Sequence, residues 1–203
     1  MSKDQVSLPI LFEDDNVTAY QLHDHLWLFE TKKGYSASIY VLEGNEKTFV
    51  IDSGHVVTDL PSIVTKVSKK PQILAITHGH WDHVGSIDQY DTKYINKNDL
   101  NLIPNYKGKI ICIEDGFMFD LGKIHIEVIN LFGHTPGSVG FLDLEDRWLF
   151  TGDAIGSTYV WMQITPLPLE SMMTAIKRIE SVKDKFDEIF VGHYRQMDAI
   201  ANY

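Results

Sequence analysis

Thr77-His78-Gly79-His80-Trp81-Asp82-His83, entered directly from the apolar run Ile73-Leu74-Ala75-Ile76, decides how the rest of this chain is read. Four side chains able to bind a metal sit at the end of what reads as a buried strand. Imidazole together with carboxylate suits zinc, iron or manganese. A helix cannot aim all four donors inward. A strand that breaks into a tight loop can, with Gly79 permitting a turn that a side chain opposes. Nine histidines in 203 residues make isolated pairs uninformative. This cluster carries more, because it follows an apolar strand and not a polar stretch.

Other segments share the same grammar of apolar strand, glycine and metal-capable residue. They are Asn130-Leu131-Phe132-Gly133-His134-Thr135-Pro136-Gly137-Ser138, Leu149-Phe150-Thr151-Gly152-Asp153 and Ile189-Phe190-Val191-Gly192-His193. Val50-Ile51-Asp52-Ser53-Gly54 places an acid at the end of an earlier strand. Each alone is ordinary loop chemistry. Together they describe one site assembled from loops at one edge of a rigid scaffold.

The surrounding pattern supports such a scaffold. Val17–Leu22, Leu26–Glu30, Ser36–Leu42 and Lys47–Asp52 read as strands, then a helix near Val57–Lys69, then the strand Ile73–Thr77. A second batch follows: Ile110–Ile113, Phe117–Leu121, His125–Asn130, Ser138–Asp143 and Arg147–Thr151, a helix over Leu169–Val182 and a last strand Glu188–Val191. Leu169, Met172, Ile176 and Ile179 fall on one helical stripe, and Met162, Met172 and Met173 read as core or pocket filler. Two batches of strands, each closed by a helix and a strand, predict two sheets face to face with helices outside, in one domain over residues 1–203.

Composition bounds the function. The chain is 44% hydrophobic, enough for a substantial core, and has no apolar run of the ~18 residues that span a membrane. Its short apolar stretch near the N-terminus contains Pro9 and does not read as a signal peptide. A net charge of −10 without a basic cluster speaks against nucleic acid and anionic membranes and for a small-molecule substrate. The single Cys112 forms no intramolecular disulfide, in keeping with the cytoplasm; lying in an apolar strand, it is expected to be buried.

Thr77-His78-x-His80-x-Asp82-His83-x-Gly85 resembles the signature of the metallo-β-lactamase superfamily. The acid motif at Asp52, Gly-His-Thr-Pro-Gly-Ser at His134, Thr-Gly-Asp at Asp153 and the final Gly-His at His193 match in order, from about Ile39 to His193. The resemblance implies an α+β fold, the αββα four-layer sandwich. It also implies two divalent ions, zinc foremost with iron or manganese admissible. His78, His80 and His134 would bind one, Asp82, His83 and His193 the other, and Asp153 would bridge them. A bridging hydroxide would attack an ester-like bond (thioester, lactone or ester), with Asp82 also orienting it as a catalytic residue. Asp52 would fix a ligand without binding metal.

Departures narrow the branch. His80 stands where flavodiiron-type relatives typically carry glutamate, and Asp153 where true zinc β-lactamases usually lack an aspartate. The full set is most similar to glyoxalase II-like hydrolases. Glyoxalase II itself has a helical C-terminal domain, whereas this chain ends soon after His193, so hydroxyacyl-glutathione is not the expected substrate. The alternative is a mononuclear iron oxidoreductase resembling persulfide dioxygenases. Outside the motifs, His23 and His25 read as surface residues, His125 as a strand start and His55 as lying off the site. Tyr159 and Trp161 read equally as a pocket wall or as packing, and Tyr159–Met162 as a contact patch for a homo-oligomer.

Overall fold

The computed structural model describes residues 8–103, 105–156, 160, 162, 167–194 and 201–202. The first sheet runs in chain order through β1 (Ile10–Glu13), β2 (Val17–His23), β3 (Leu26–Thr31), β4 (Ser38–Glu43), β5 (Thr48–Ile51), β6 (Gln72–Ala75), β7 (Thr92–Asn96) and β8 (Lys109–Ile113). Its first five strands pair antiparallel and its last four parallel. The parallel steps need crossovers. Two of these carry the short helices α1 (Leu60–Val64), between β5 and β6, and α2 (Trp81–Val84), between β6 and β7.

The second sheet has the order β14-β13-β12-β11-β10-β9, from β9 (Met118–Asp120), β10 (His125–Asn130), β11 (Val139–Asp143), β12 (Trp148–Gly152), β13 (Glu188–Val191) and β14 (Ala201–Asn202). The helix α3 (Leu169–Ser181) lies between β12 and β13, which pair parallel.

Alternation along the strands builds the layers. Tyr40, Leu42, Phe49 and Ile51 turn inward to meet Val128, Phe141, Phe150 and Phe190 of the other sheet. Phe49 and Phe141 touch edge to face with ring centroids 5.3 Å apart. Each wholly buried phenylalanine of this interface contributes about 2–3 kcal/mol relative to exposure. Ile39, Val41 and Val50 face the other way, onto Leu60, Ile63 and Val64 of α1. Leu142, Leu149 and Ile189 likewise face Ala175 and Ile179 of α3. Helix, sheet, sheet, helix is the predicted four-layer sandwich. Among the described residues no helix is long and apolar enough to cross a membrane.

Several local expectations are corrected. The predicted Val57–Lys69 helix shrinks to five residues, because Asp59 takes a left-handed φ of 55° ahead of Pro61 and the chain beyond Thr65 turns toward β6. On α3 the buried face is Ser171, Met172, Ala175 and Ile179; Leu169, Met173 and Ile176 point to solvent. Cys112 is exposed, since β8 is the free edge of the first sheet. His23 and His25 are half-buried, stacked on Trp148 and paired with Glu188 and Asp146. Tyr159 and Trp161 lie outside the described residues.

Candidate metal centre

Strand direction brings the motifs together. β5, β6, β10, β12 and β13 all end at one edge of the sandwich, and the chain leaving them carries Asp52, the His78–His83 run, His134, Asp153 and His193. The two sheets meet here closely. The Val139 N–H donates to the Thr77 carbonyl at 2.9 Å, and Gly152, at a φ of 52°, lies where a Cβ would strike the Thr77 side chain. The His78–His83 run is part loop and part helix: His78 and His80 lie on the loop, while Asp82 and His83 occupy the single turn α2. The expectation of a loop alone missed that turn, which rotates the second pair away from the first.

All seven predicted residues converge. His78, His80 and His134 form a near-equilateral group with ring centroids 4.6–4.8 Å apart. Asp82, His83 and His193 form a second group, with His193 Nε2 3.4 Å and His83 Nε2 3.8 Å from Asp82 Oδ2. Asp153 lies between the groups. Its Oδ1 is 3.4 Å from His83 Nε2, and its Oδ2 is 3.2 Å from His193 Nε2 and 3.6 Å from His134 Nε2.

Asp52 sits where expected, behind the candidate ligands. Its Oδ1 accepts the Thr77 N–H at 2.8 Å, and its Oδ2 accepts the Thr77 hydroxyl and His83 Nδ1–H, both at 2.8 Å. The Thr77 oxygen is then free to accept His78 Nδ1–H at 3.1 Å. Both imidazoles are thereby oriented with Nε2 aimed at the centre. His193 is oriented similarly, Nδ1–H donating to the Ser36 carbonyl at 2.6 Å. His55 stays outside the cluster, its Nδ1 accepting the Tyr35 N–H.

One buried group was not foreseen. Asp99, fully buried on the 3₁₀ turn Lys97–Leu102, accepts the Gly79 N–H at 2.8 Å, the Thr135 hydroxyl at 2.7 Å and the Gly137 N–H at 2.6 Å. Nothing in the polar run Asn96-Lys97-Asn98-Asp99 distinguishes this acid from a solvated one.

The electrostatics divide the cluster. Burial pushes the imidazoles of His78 and His80 down and that of His134 to about 4, so these three are neutral. Burial also acts against charge on His83, but the carboxylates of Asp153 and Asp52 overcome it and raise this imidazole well above its usual range. For His193 the bonds to Asp153 and Asp82 outweigh burial and raise it to about 9. Asp153 and Asp82 are held low by the same histidines, against burial.

The donor chemistry fits cations. Nε2 of His78 and of His83 and Oδ1 of Asp153 are buried without a hydrogen-bond partner among the described residues. His134 Nε2 and His80 Nδ1 face each other at 2.9 Å. Imidazole nitrogens and carboxylate oxygens converging in this way are the donor set that divalent ions satisfy.

Known proteins resemble this chain in sequence and in fold. A sequence model described as the metallo-beta-lactamase superfamily matches residues 33–193. The human acyl-coenzyme A thioesterase MBLAC2 is 21% identical, over 85% of this chain and 79% of that protein. Hydroxyacylglutathione hydrolase GloC of Haemophilus influenzae is 26% identical over 57% of this chain and 64% of that protein. Among solved structures, TTHA1623 in a di-iron-bound form superposes with a TM-score of 0.70 at 24% identity, covering 86% of this chain and 94% of that one.

Proposed function

The chain belongs to the metallo-beta-lactamase superfamily, and from that premise we propose that it is a metal-dependent hydrolase of ester-like bonds in small molecules, thioesters before lactones and simple esters. The observation that carries the proposal is the pair of three-residue donor groups with Asp153 lying between them. His78, His80 and His134 would hold one divalent ion and Asp82, His83 and His193 a second, with Asp153 common to both. Zinc is the proposed metal; the di-iron form of TTHA1623 keeps iron in view, and manganese suits the same donors. When bound, such ions supply a water acidic enough to be a nucleophile near neutral pH and polarise the attacked carbonyl. The thioester preference rests on the similarity to the acyl-coenzyme A thioesterase MBLAC2 and the hydroxyacylglutathione hydrolase GloC.

This chain's own residues would set the direction of approach. Side chains of Asp82, Asp153 and His193 keep 12–17% of their surface, whereas those of His83 and His134 keep 0–1%. Substrate would therefore arrive over the carboxylates, where Asp82 is placed to accept and orient a proton of the attacking water. Asp52 and the Ser36 carbonyl keep the imidazole rings from turning during the reaction. We place this activity on one domain in the reducing cytoplasm, in keeping with the lone Cys112.

The test is to measure the full chain, zinc-loaded and chelated, against acyl thioesters, lactones and esters, with metal content determined in parallel. The expected result is two ions per chain and thioester hydrolysis that chelation abolishes and zinc restores. Full activity without metal, or none above the free-ion background on any substrate, overturns the proposal. One iron per chain with oxygen uptake would replace it by the oxidative alternative.

A further inference from the structure

We propose that Asp99 is a positioning residue that assembles the His78, His80 and His134 group, by clamping together the two separate loops that carry it. The inference rests on the assignment of those three histidines as ligands. It adds a determinant of that site that lies 19 residues from the nearest of them in sequence, His80.

The two loops come from different sheets. His78-Gly79-His80 follows β6 of the first sheet, and His134-Thr135 follows β10 of the second. Nothing covalent holds one at a fixed distance from the other. Asp99 bridges them with a single carboxylate: Oδ2 takes the Gly79 N–H and the Thr135 hydroxyl, and Oδ1 takes the Gly137 N–H. The donor on one loop is the backbone between two of the ligands, and the hydroxyl on the other belongs to the residue directly after the third. The clamp is closed on its far side as well. The Thr135 hydroxyl donates to Asp99, so its oxygen accepts from Ser138 at 2.8 Å, and the Ser138 oxygen in turn accepts the Thr135 N–H at 3.0 Å.

Both loops have also cleared space for this side chain. A Cβ at Gly137 would lie 2.7 Å from the Asp99 carboxyl carbon, and one at Gly79 would lie 3.1 Å from the Asp99 Cβ. The chemistry asks for aspartate and nothing near it in shape. Both oxygens face donors, so the amide nitrogen of an asparagine would be turned against an N–H in either orientation. Donor facing donor, buried, separates the loops instead of joining them. A carboxylate here additionally adds negative charge on the His80 side of the cluster.

The experiment is a cobalt(II) titration of the metal-free full chain, followed by calorimetry and by the visible absorption of the bound ion. His78→Ala and His193→Ala identify which binding event belongs to which group. Asp99→Asn is expected to weaken the His78, His80 and His134 event by about 10–100-fold, with altered absorption of that ion, while the other event stays within about threefold. Thr135→Val removes one bond of the clamp and is expected to give a smaller loss at the same event; it decides the matter if Asp99→Asn does not fold by circular dichroism. Wild-type affinity at both events in these variants, or equal loss at both, overturns the positioning role. A wild-type chain that binds no cobalt at all overturns the ligand assignment itself.

Discussion

The two donor groups that meet at Asp153 are built on opposite principles. His78, His80 and His134 are all imidazole, deeply buried and neutral, with His134 pushed down to about 4. Asp82, His83 and His193 mix carboxylate with imidazole, keep solvent contact at Asp82 and His193, and lean on one another's charge, with His193 raised to about 9. The support differs as well. The first group depends on its backbone being held, through Asp99. The second depends on its rings being held, through Asp52 on His83 and the Ser36 carbonyl on His193. A neutral, dry group offers lone pairs without first giving up protons; a charged one must release protons to take up a cation. On the proposed assignment, the cluster would combine a preformed site with one completed by the ion.

Asp153→Ala attacks the comparison at its shared member and has the largest expected effect. It removes the carboxylate that touches His83, His193 and His134 alike. The expected result is a fall in kcat/KM of about 1,000-fold or more, or about 4 kcal/mol, with fewer than two ions retained per chain. Retention of both ions at wild-type affinity would show that the groups do not share a residue.

Asp52→Asn asks whether the supports are truly separate. Asp52 adopts a φ of 65°, which asparagine also tolerates, so the variant changes charge and leaves the backbone turn alone. It disrupts the bond to His83 directly and reaches His78 only through Thr77. Metal affinity of the Asp82, His83 and His193 group should fall about 10–100-fold, with a smaller loss at the other group. The reverse order in a two-site titration would break the comparison.

These supports also mark where the sequence stops being readable. The candidate site was legible because the His78–His83 run and the Gly133-His134, Gly152-Asp153 and Gly192-His193 segments each follow an apolar strand, and parallel strands deliver their ends to one edge. The four layers were legible from alternation in segments such as Ser38–Glu43, whose residues divide between two cores. β7 was missed because its Lys93 looks solvated and is in fact wholly buried, its ammonium held by the Lys107 carbonyl. Asp99 was missed for the same physical reason: its donors come from two loops remote in sequence, so no local pattern signals its burial. The α3 stripe held at Met172 and Ile179 and failed at Leu169 and Ile176, for a different reason. Two apolar faces coexist on that helix, and periodicity alone does not say which one meets the sheet.

A third buried carboxylate, remote from the ligands, sharpens what the supporting acids are for. Asp143, at the end of β11, is as buried as Asp99, but only its Oδ1 is occupied, accepting N–H bonds from Glu145 and Asp146 at 3.0 Å each. Its Oδ2 has no hydrogen-bond partner among the described residues. Burial, with the neighbouring Asp146 and Glu145 charges, raises this carboxyl from 3.8 to about 6. The folded protein thus holds this proton more tightly than the unfolded chain does. Its contribution is most favourable below pH 3.8 and is lost as pH rises through about 6. Asp143→Asn keeps an oxygen for the two N–H donors and never ionises. It should stabilise the fold by about 1–3 kcal/mol at pH 8, with the gain over wild type shrinking toward pH 4. Urea denaturation of both proteins at the two pH values measures this, and an equal difference at both would refute the assignment. The contrast with Asp99→Asn is the point at issue. Removing a carboxylate whose two oxygens both bind loop donors should weaken metal binding at one group, while removing one that is half-satisfied should make the protein more stable.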